Sequence, residues 1–376
     1  MDSAQGPLHV AIGVLAGVTG GPATYGRRLV ESLGELVATD GIPLRVTVLT
    51  DRPRLFAATR AELVELPMRG GLDRLRWQHV ALPRAIARIA PDVYHDTKNA
   101  LPRGLRVPGV VTVHDLAYHV VPETFGFWSR LFLARATADA VRRARVVIVP
   151  SQATARDVER WYPHARQKLA VVLHGITPPR ALDAAAVQAT RARWGLPERY
   201  VLHVGTLQAR KNVDLVVRAV RGLRESHPDL RAVIVGRRGW LAERAIAEIE
   251  RDDTAKWLGV VEDDDLAAIY RAATCFVSPS AYEGFGFTVA DALASGVPTV
   301  IADVSSLPEL CADAALRLAA LEVPAIEAAI RRVLDERDLA MRLHRAGPER
   351  AAALSWRNAA LGHLAAYRRA LDTARA

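Results

Sequence analysis

Short apolar runs rich in Val, Ile and Leu recur along the chain. Nearly every one stops at a glycine or polar turn, and a stretch of helical periodicity follows. Residues 8–18, Leu44–Leu49, Asp92–His95, Gly109–Asp115, Arg145–Ser151 and Leu169–Leu173 read as the strands of a first half. A proline-marked break follows at Ile176–Pro179. The alternation then restarts, with strands at Tyr200–Val204, Arg231–Val235, Lys256–Val261, Thr274–Val277 and Thr299–Ala302. Helices are predicted from Arg27 onward, over Val213–Leu223 and Phe287–Ala294, and over Pro324–Arg345 and Ser355–Arg375. The pattern gives an α/β chain of two doubly wound, Rossmann-like domains, residues 1–178 and 179–354, with a terminal helix at 355–376. A length of 376 residues suits two cores of ordinary size.

The candidate chemistry concentrates in Ser278–Pro298, SPSAYEGFGFTVADALASGVP. There a buried strand breaks at Gly284 and Gly286, Glu283 sits in the turn, and Asp291 is expected about two turns into the next helix. The N–H groups of Gly284, Phe285, Gly286, Phe287 and Thr288 form an expected anion site, because a helix start leaves its first donors unpaired. Carboxylates accept from sugar hydroxyls while main-chain donors take phosphate, so a sugar nucleotide is the expected ligand. The turn Gly205-Thr206-Leu-Gln-Ala-Arg210-Lys211-Asn212 places two cations at another helix mouth, an arrangement suited to a diphosphate, with Asn212 as the expected cap. Gly20, Gly21 and Gly236 lie in glycine turns at strand ends, where a backbone can approach a ligand closely. His114 ends the run GVVTVHD, where it is placed to donate to a hydroxyl or a phosphate.

Composition narrows the partners. A net charge of +9 and a pI near 10.0 favour anionic ones. Arginine supplies all but four of the 50 basic residues, which makes Lys211 more informative than a lysine usually is. No basic run is interleaved with aromatics, so nucleic acid is not expected. Cys275 and Cys311 lack metal-ligand spacing and suit a reducing, cytoplasmic setting. Asp263–Asp265 reads as an acidic helix start, so no metal is expected. The apolar run Val10–Val18 follows no basic residue and reads as a strand, not a signal peptide, and no stretch is long and apolar enough to span a membrane. Arg69–Ala90 and Phe125–Arg145 mix arginines with apolar residues at helical spacing. Two readings stay open for them: helices covering a sheet, or helices resting on the anionic inner face of a membrane.

The stretch around Glu283 resembles the signature of retaining GT-B glycosyltransferases of family 4, E-G-F-G-L-P-x-x-E-A-M-A-x-G-x-P, with Asp291 in place of the second glutamate and Thr288 in place of the proline. His114–Phe125 is similar to a further motif of the family, and Gly205–Asn212, Val235–Trp240 and Ser305–Glu309 are similar to others in their mannosyltransferase-like variants. The resemblance implies a GT-B fold, two Rossmann-like domains facing across a cleft, with the last helix crossing back to the first domain. It implies a metal-independent, retaining transfer of a hexose from a nucleoside diphosphate sugar, GDP-mannose or a UDP-hexose, with no cofactor. The acceptor would be the hydroxyl of a saccharide, a lipid-linked sugar or a small molecule. By the same resemblance Arg210 and Lys211 hold the diphosphate, Glu283 and His114 the donor sugar, and Asp291 the ribose. Gly20 and Gly21 reach toward the phosphates, and Thr206, Gly236 and the backbone at Val261 belong to the nucleotide pocket. Asp291 is one methylene shorter than glutamate and reaches roughly 1.5 Å less. A sugar-nucleotide epimerase of the same fold and a non-catalytic nucleotide-binding homologue are the alternatives.

Overall fold

The computed structural model describes residues 6–14, 21–68 and 76–375. Contacts divide the chain into two units, one of Met1–Leu116, Phe127–Gly175 and Ser355–Ala376, the other of Ala117–Gly126 and Ile176–Leu354. The first holds strands β1 (Leu8–Val14), β2 (Leu44–Thr50), β3 (Glu62–Glu65), β4 (Val93–Asp96), β5 (Gly109–Thr112), β6 (Val146–Val149) and β7 (Leu169–Val171). Their order is β3-β2-β1-β4-β5-β6-β7, with every pair parallel. The second holds β8 (Arg199–Val204), β9 (Leu230–Val235), β10 (Ala255–Trp257), β11 (Cys275–Ser278), β12 (Thr299–Ala302) and β13 (Leu316–Leu318). These run β10-β9-β8-β11-β12-β13, again all parallel. Central strands are buried throughout, and β5, β6, β11 and β12 accordingly read as largely apolar runs and not as alternations, while β4 buries His95 and Asp96 as well. Chain order reverses between β1 and β4 and between β8 and β11. Ligands of open parallel sheets bind at such crevices, beyond the carboxyl ends of the strands.

Several boundaries differ from those predicted. The first long helix begins at Gly21, six residues before Arg27, because Pro22 has its φ preset for a first helical turn and lacks an N–H that would go unpaired there anyway. Gly20 lies outside the described residues, as do residues 15–18 of the expected first strand and 69–75 of the first basic amphipathic stretch. The predicted strand Lys256–Val261 is only Ala255–Trp257, ended by Gly259 at φ +69°. The helix expected over Pro324–Arg345 is two, Val323–Asp335 and Arg337–Ala353, with Glu336 between them. Ala117–Gly126, read from sequence as part of the first domain, packs with the second unit: Trp240 Nε1 donates to the Thr124 carbonyl at 2.8 Å, and the Phe125 and Trp240 rings meet at 5.9 Å. Among the described residues no helix is long and apolar enough to cross a membrane.

The C-terminal helix Trp356–Arg375 is fastened to the first sheet by a buried chain of neutral hydrogen bonds. His363 Nδ1 lies 2.7 Å from the Ala359 carbonyl, which can only accept, so Nδ1 carries the hydrogen and Nε2 accepts from the Tyr25 hydroxyl at 2.7 Å. Thr112 Oγ1 then donates to Tyr25 (2.8 Å), His95 Nε2 donates to Thr112 (2.8 Å), and the Tyr367 hydroxyl donates to His95 Nδ1 (2.8 Å). Every member is satisfied and none is charged. Burial lowers the basicity of His95 well below the ordinary value and that of His363 to about 4.

Gly175 marks where that helix enters the unit: a Cβ there would lie 2.3 Å from the Trp356 nitrogen and 2.4 Å from its Cα. A main-chain neighbour cannot swing aside. Gly175→Ala should therefore cost roughly 1–3 kcal/mol or more, seen as a fall of several degrees in the melting transition of the first unit. An unchanged transition would show that the helix entry is not tightly packed.

Candidate functional site

The predicted cations and the predicted carboxylate meet. Arg210 and Lys211 lie in a short 3-10 turn after β8, and Glu283 lies in the turn after β11, so the pairing of β8 with β11 brings the two turns side by side at the switch point. Lys211 Nζ donates to Glu283 Oε1. Arg210 Nη1 donates to Glu283 Oε2 at 3.2 Å and to the Tyr282 carbonyl at 2.6 Å. Lys211 is 9% exposed and Glu283 8%. Burial alone pushes the Glu283 carboxyl upward, but the charges of Lys211 and Arg210 and the bonds from Lys211 and Ser280 overcome it and hold the pKa at about 2.

The supporting bonds come from residues to which sequence gave a lesser part or none. The Ser305 hydroxyl accepts from the Glu283 N–H at 2.9 Å, and Ser306 Oγ shares its one hydrogen between the carbonyls of Glu283 (2.9 Å) and Phe285 (3.1 Å). Both serines belong to the stretch Ser305–Glu309, marked in the sequence only by its resemblance to a family motif; here they fix the backbone around the acid. Asn212 does not cap the helix Val213–Leu223 through its side chain. It adopts a left-handed conformation, φ +50°, which asparagine tolerates, and its Nδ2 donates to the Pro279 carbonyl at 2.9 Å, bracing one turn against the other. The Arg210 carbonyl accepts from the Ala281 N–H at 2.8 Å and adds a main-chain tie.

The remaining predicted residues fall as follows. Gly284, Phe285 and Gly286 form the turn, and Gly286, at φ +100°, stands immediately before the helix Phe287–Ala294 that carries Phe287, Thr288 and Asp291. Asp291 is the fifth residue of that helix, just over one turn in and not two, and its charge is felt by the buried Tyr270, whose hydroxyl donates to the Thr288 carbonyl at 2.9 Å. Gly236 is needed by the fold itself, since a Cβ there would lie 2.0 Å from the Gly205 carbonyl oxygen. Thr206 lies in the same crossing of turns, Val261 is buried just past the end of β10, and Gly21 is the first residue of its helix. His114 lies in the first unit, beyond the end of β5. Its Nε2 sits 2.8 Å from the Thr97 carbonyl and so carries the hydrogen. Burial lowers its basicity, so at neutral pH Nδ1 is an acceptor and the expected donor role is corrected: His114 can accept from a hydroxyl.

Glu283 holds its stabilising charge above the ordinary carboxyl range and loses it as pH falls toward about 2. Over that window the ion pair accounts for on the order of 3 kcal/mol. Melting temperature followed from about pH 5 to about pH 2 should fall more steeply for the wild type than for Glu283→Gln, which has nothing to titrate, while at neutral pH the variant should be the less stable. Parallel acid limbs would contradict the assignment.

The family profile described as glycosyl transferases group 1 matches residues 188–350, and that described as glycosyltransferase family 4 matches residues 19–180. The chain is 30% identical to O-antigen chain mannosyltransferase B of Escherichia coli over 285 residues, 73% of this chain and 74% of that protein. It is 32% identical to the D-inositol 3-phosphate glycosyltransferase of Streptomyces avermitilis over 252 residues, 62% of this chain and 54% of that protein, so the match spans about half the relative's length. Among solved structures, the sucrose-phosphate synthase of Thermosynechococcus elongatus superposes with a TM-score of 0.78 at 22% identity, covering 97% of this chain and 100% of that one. Anabaena HepE, solved in complex with UDP and glucose, superposes with a TM-score of 0.74 at 17% identity, covering 98% and 99%.

Proposed function

The chain belongs to the group 1 glycosyl transferases, hexosyltransferases of GT-B fold, and from that premise we propose that it moves a hexose from a nucleoside diphosphate sugar to an acceptor hydroxyl, with retention and without a metal. The observation that carries this reading is the buried Lys211–Glu283–Arg210 cluster at the β8/β11 switch point. Two cations face one carboxylate there, leaving one positive charge in a place where water screens little. An ammonium has three donors and a guanidinium five, so each can serve a phosphate oxygen as well as a carboxylate. In the reaction the bond between the anomeric carbon and the diphosphate oxygen breaks, and the acceptor oxygen bonds to that carbon from the same face. The acceptor's proton passes to the departing phosphate. Arg210 and Lys211 stabilise the charge growing on that phosphate, and Glu283 orients the sugar hydroxyls.

GDP-mannose is the proposed donor. It is supported by the likeness to an O-antigen mannosyltransferase and by the sequence of the turns at Gly205–Asn212 and Ser305–Glu309. Calorimetry with GDP, UDP, ADP and dTDP, each with and without magnesium, should show one nucleotide bound equally well in both conditions. Lys211→Ala should weaken that binding by at least about tenfold and reduce turnover by about 10²- to 10³-fold. Full activity in Lys211→Ala would reject the diphosphate assignment. Donor epimerised without acceptor would favour the epimerase alternative, and no nucleotide binding at all the non-catalytic one.

One surface extends the proposal to lipid. On the helix Phe127–Arg143 the side chains of Phe127, Trp128 and Phe132 are 59%, 77% and 58% exposed, and Arg130 lies over the Phe127 ring. The same helix carries four arginines and one acid, Asp139, which Arg142 and Arg143 already bind. Aromatic side chains beside unopposed arginines fit the boundary of an anionic bilayer. Co-sedimentation with vesicles containing anionic lipid should be strong at low salt, weaken with added salt, and be largely lost in Trp128→Ser/Phe132→Ser. Failure to bind at low salt would remove the membrane from this reading.

A further inference from the structure

His203 has no part in any of the motifs above, yet its ring is near enough to the charged cluster to feel Lys211 and Glu283. It sits in β8, 1% exposed, and its Nδ1 lies 3.0 Å from the Val277 carbonyl of β11. Because a carbonyl only accepts, Nδ1 holds the hydrogen and Nε2 presents a lone pair. That nitrogen is buried and, among the described residues, has no hydrogen-bond partner. Few native side chains leave a buried polar atom unpaired, and one that does so beside a functional cluster calls for a donor. The surroundings show which donor is at hand. A Cβ on Gly205 would lie 3.6 Å from His203 Nε2 and 3.9 Å from Lys211 Cε, so the ring nitrogen and the end of the lysine tail share the space under that turn. The charges of both Lys211 and Glu283 are felt at the ring.

We propose that His203 is a positioning residue: when a diphosphate draws the Lys211 ammonium from Glu283, Nε2 of His203 accepts one of its hydrogens, directly or through one water. The lysine is thereby held on the phosphate side, and the Glu283 carboxylate is released for a sugar hydroxyl. The histidine suits the task because it is neutral at physiological pH; burial lowers its basicity to about 4, so it accepts from a cation and does not repel it. The inference rests on the diphosphate reading of Arg210 and Lys211.

Two variants separate positioning from a merely structural role. In His203→Asn the amide sits where Nδ1 sits, so the bond to Val277 is kept and the acceptor at Nε2 is lost. In His203→Gln the amide reaches the place of Nε2, so an acceptor is kept and the bond to Val277 is given up. Nucleotide affinity is measured by calorimetry with GDP and UDP, and turnover with GDP-mannose and UDP-glucose, for the wild type and both variants. The expected result is about a tenfold weaker affinity and a lower kcat for His203→Asn, with His203→Gln within about twofold of the wild type. The reverse pattern, His203→Asn unaffected and His203→Gln impaired, would make the histidine only a brace between β8 and β11 and overturn the inference while leaving the diphosphate reading intact. Equal effects, or none, in both variants would overturn it likewise. A wild type that binds neither nucleotide and turns over neither donor would instead bring down the diphosphate reading itself, and this inference with it.

Discussion

Burying the Glu283 carboxylate is the constraint to which the second unit is built. An ionised carboxylate withdrawn from water without partners costs several kcal/mol or takes up a proton. Here it stays ionised because two cations from a turn more than seventy residues earlier close on it. Neither turn can supply that geometry alone. The parallel pairing of β8 with β11 sets their separation, the Asn212 bond to Pro279 and the main-chain bond from Ala281 to Arg210 set their orientation, and the two serines fix the carboxylate's own backbone. The result carries one excess positive charge in a place of low dielectric. A group of that kind is stable enough to persist empty and gains further from an incoming anion.

The first unit meets the same difficulty by another route. One buried polar network of that unit runs from Tyr367 through His95, Thr112 and Tyr25 to His363 with every donor matched to an acceptor and no charged member. The two solutions respond to acid differently. A histidine whose basicity is lowered on folding costs stability as pH drops from about 6.5 toward 4, because the unfolded chain takes up the proton first. The Glu283 pair holds until the carboxyl range itself is reached. The tie between the C-terminal helix and the first sheet is therefore expected to weaken at milder acidity than the charged cluster of the second unit.

Legibility in the sequence followed the strength of the local signal. Val213–Leu223, Phe287–Ala294 and Thr299–Ala302 stand at their predicted bounds because apolar periodicity and turn residues agree there. β3, Glu-Leu-Val-Glu at the sheet edge, carries charges at both ends and little burial, so nothing in its pattern marks a strand; what holds it is the pairing with β2, to which the bond from Arg45 to Glu62 adds. The start at Gly21 was hidden because glycine before proline reads as a turn, and the break at Glu336 because neither glycine nor proline announces it. Within the site, Arg210, Lys211 and Glu283 could be picked out by charge type and position. Their joining depends on strand order, which no single stretch of sequence contains. His203 was invisible for the opposite reason: inside the apolar run Tyr-Val-Leu-His-Val it looks like one more core position, and only its unpaired nitrogen tells it apart.

The few lysines make a related point about chemistry that composition conceals. In a chain whose default cation is arginine, each of the few lysines puts a compact point charge where the other basic residues put a planar fork. Lys168 Nζ donates to the Arg142 carbonyl in the last turn of the helix Phe127–Arg143, and Lys256 Nζ donates to the carbonyl of Gly195, the left-handed cap of the helix Ala184–Trp194. Both place a small cation against the negative end of a helix, where it satisfies a carbonyl and opposes the dipole. Lys211 meets a carboxylate instead, and its Cε and the His203 ring nitrogen both lie within 4 Å of where a Cβ on Gly205 would stand. A guanidinium is broader, and its donors lie in one plane, whereas an ammonium can turn its three donors in different directions. At the cluster the chain thus sets one cation of each kind on a single carboxylate, Lys211 on Oε1 and Arg210 on Oε2.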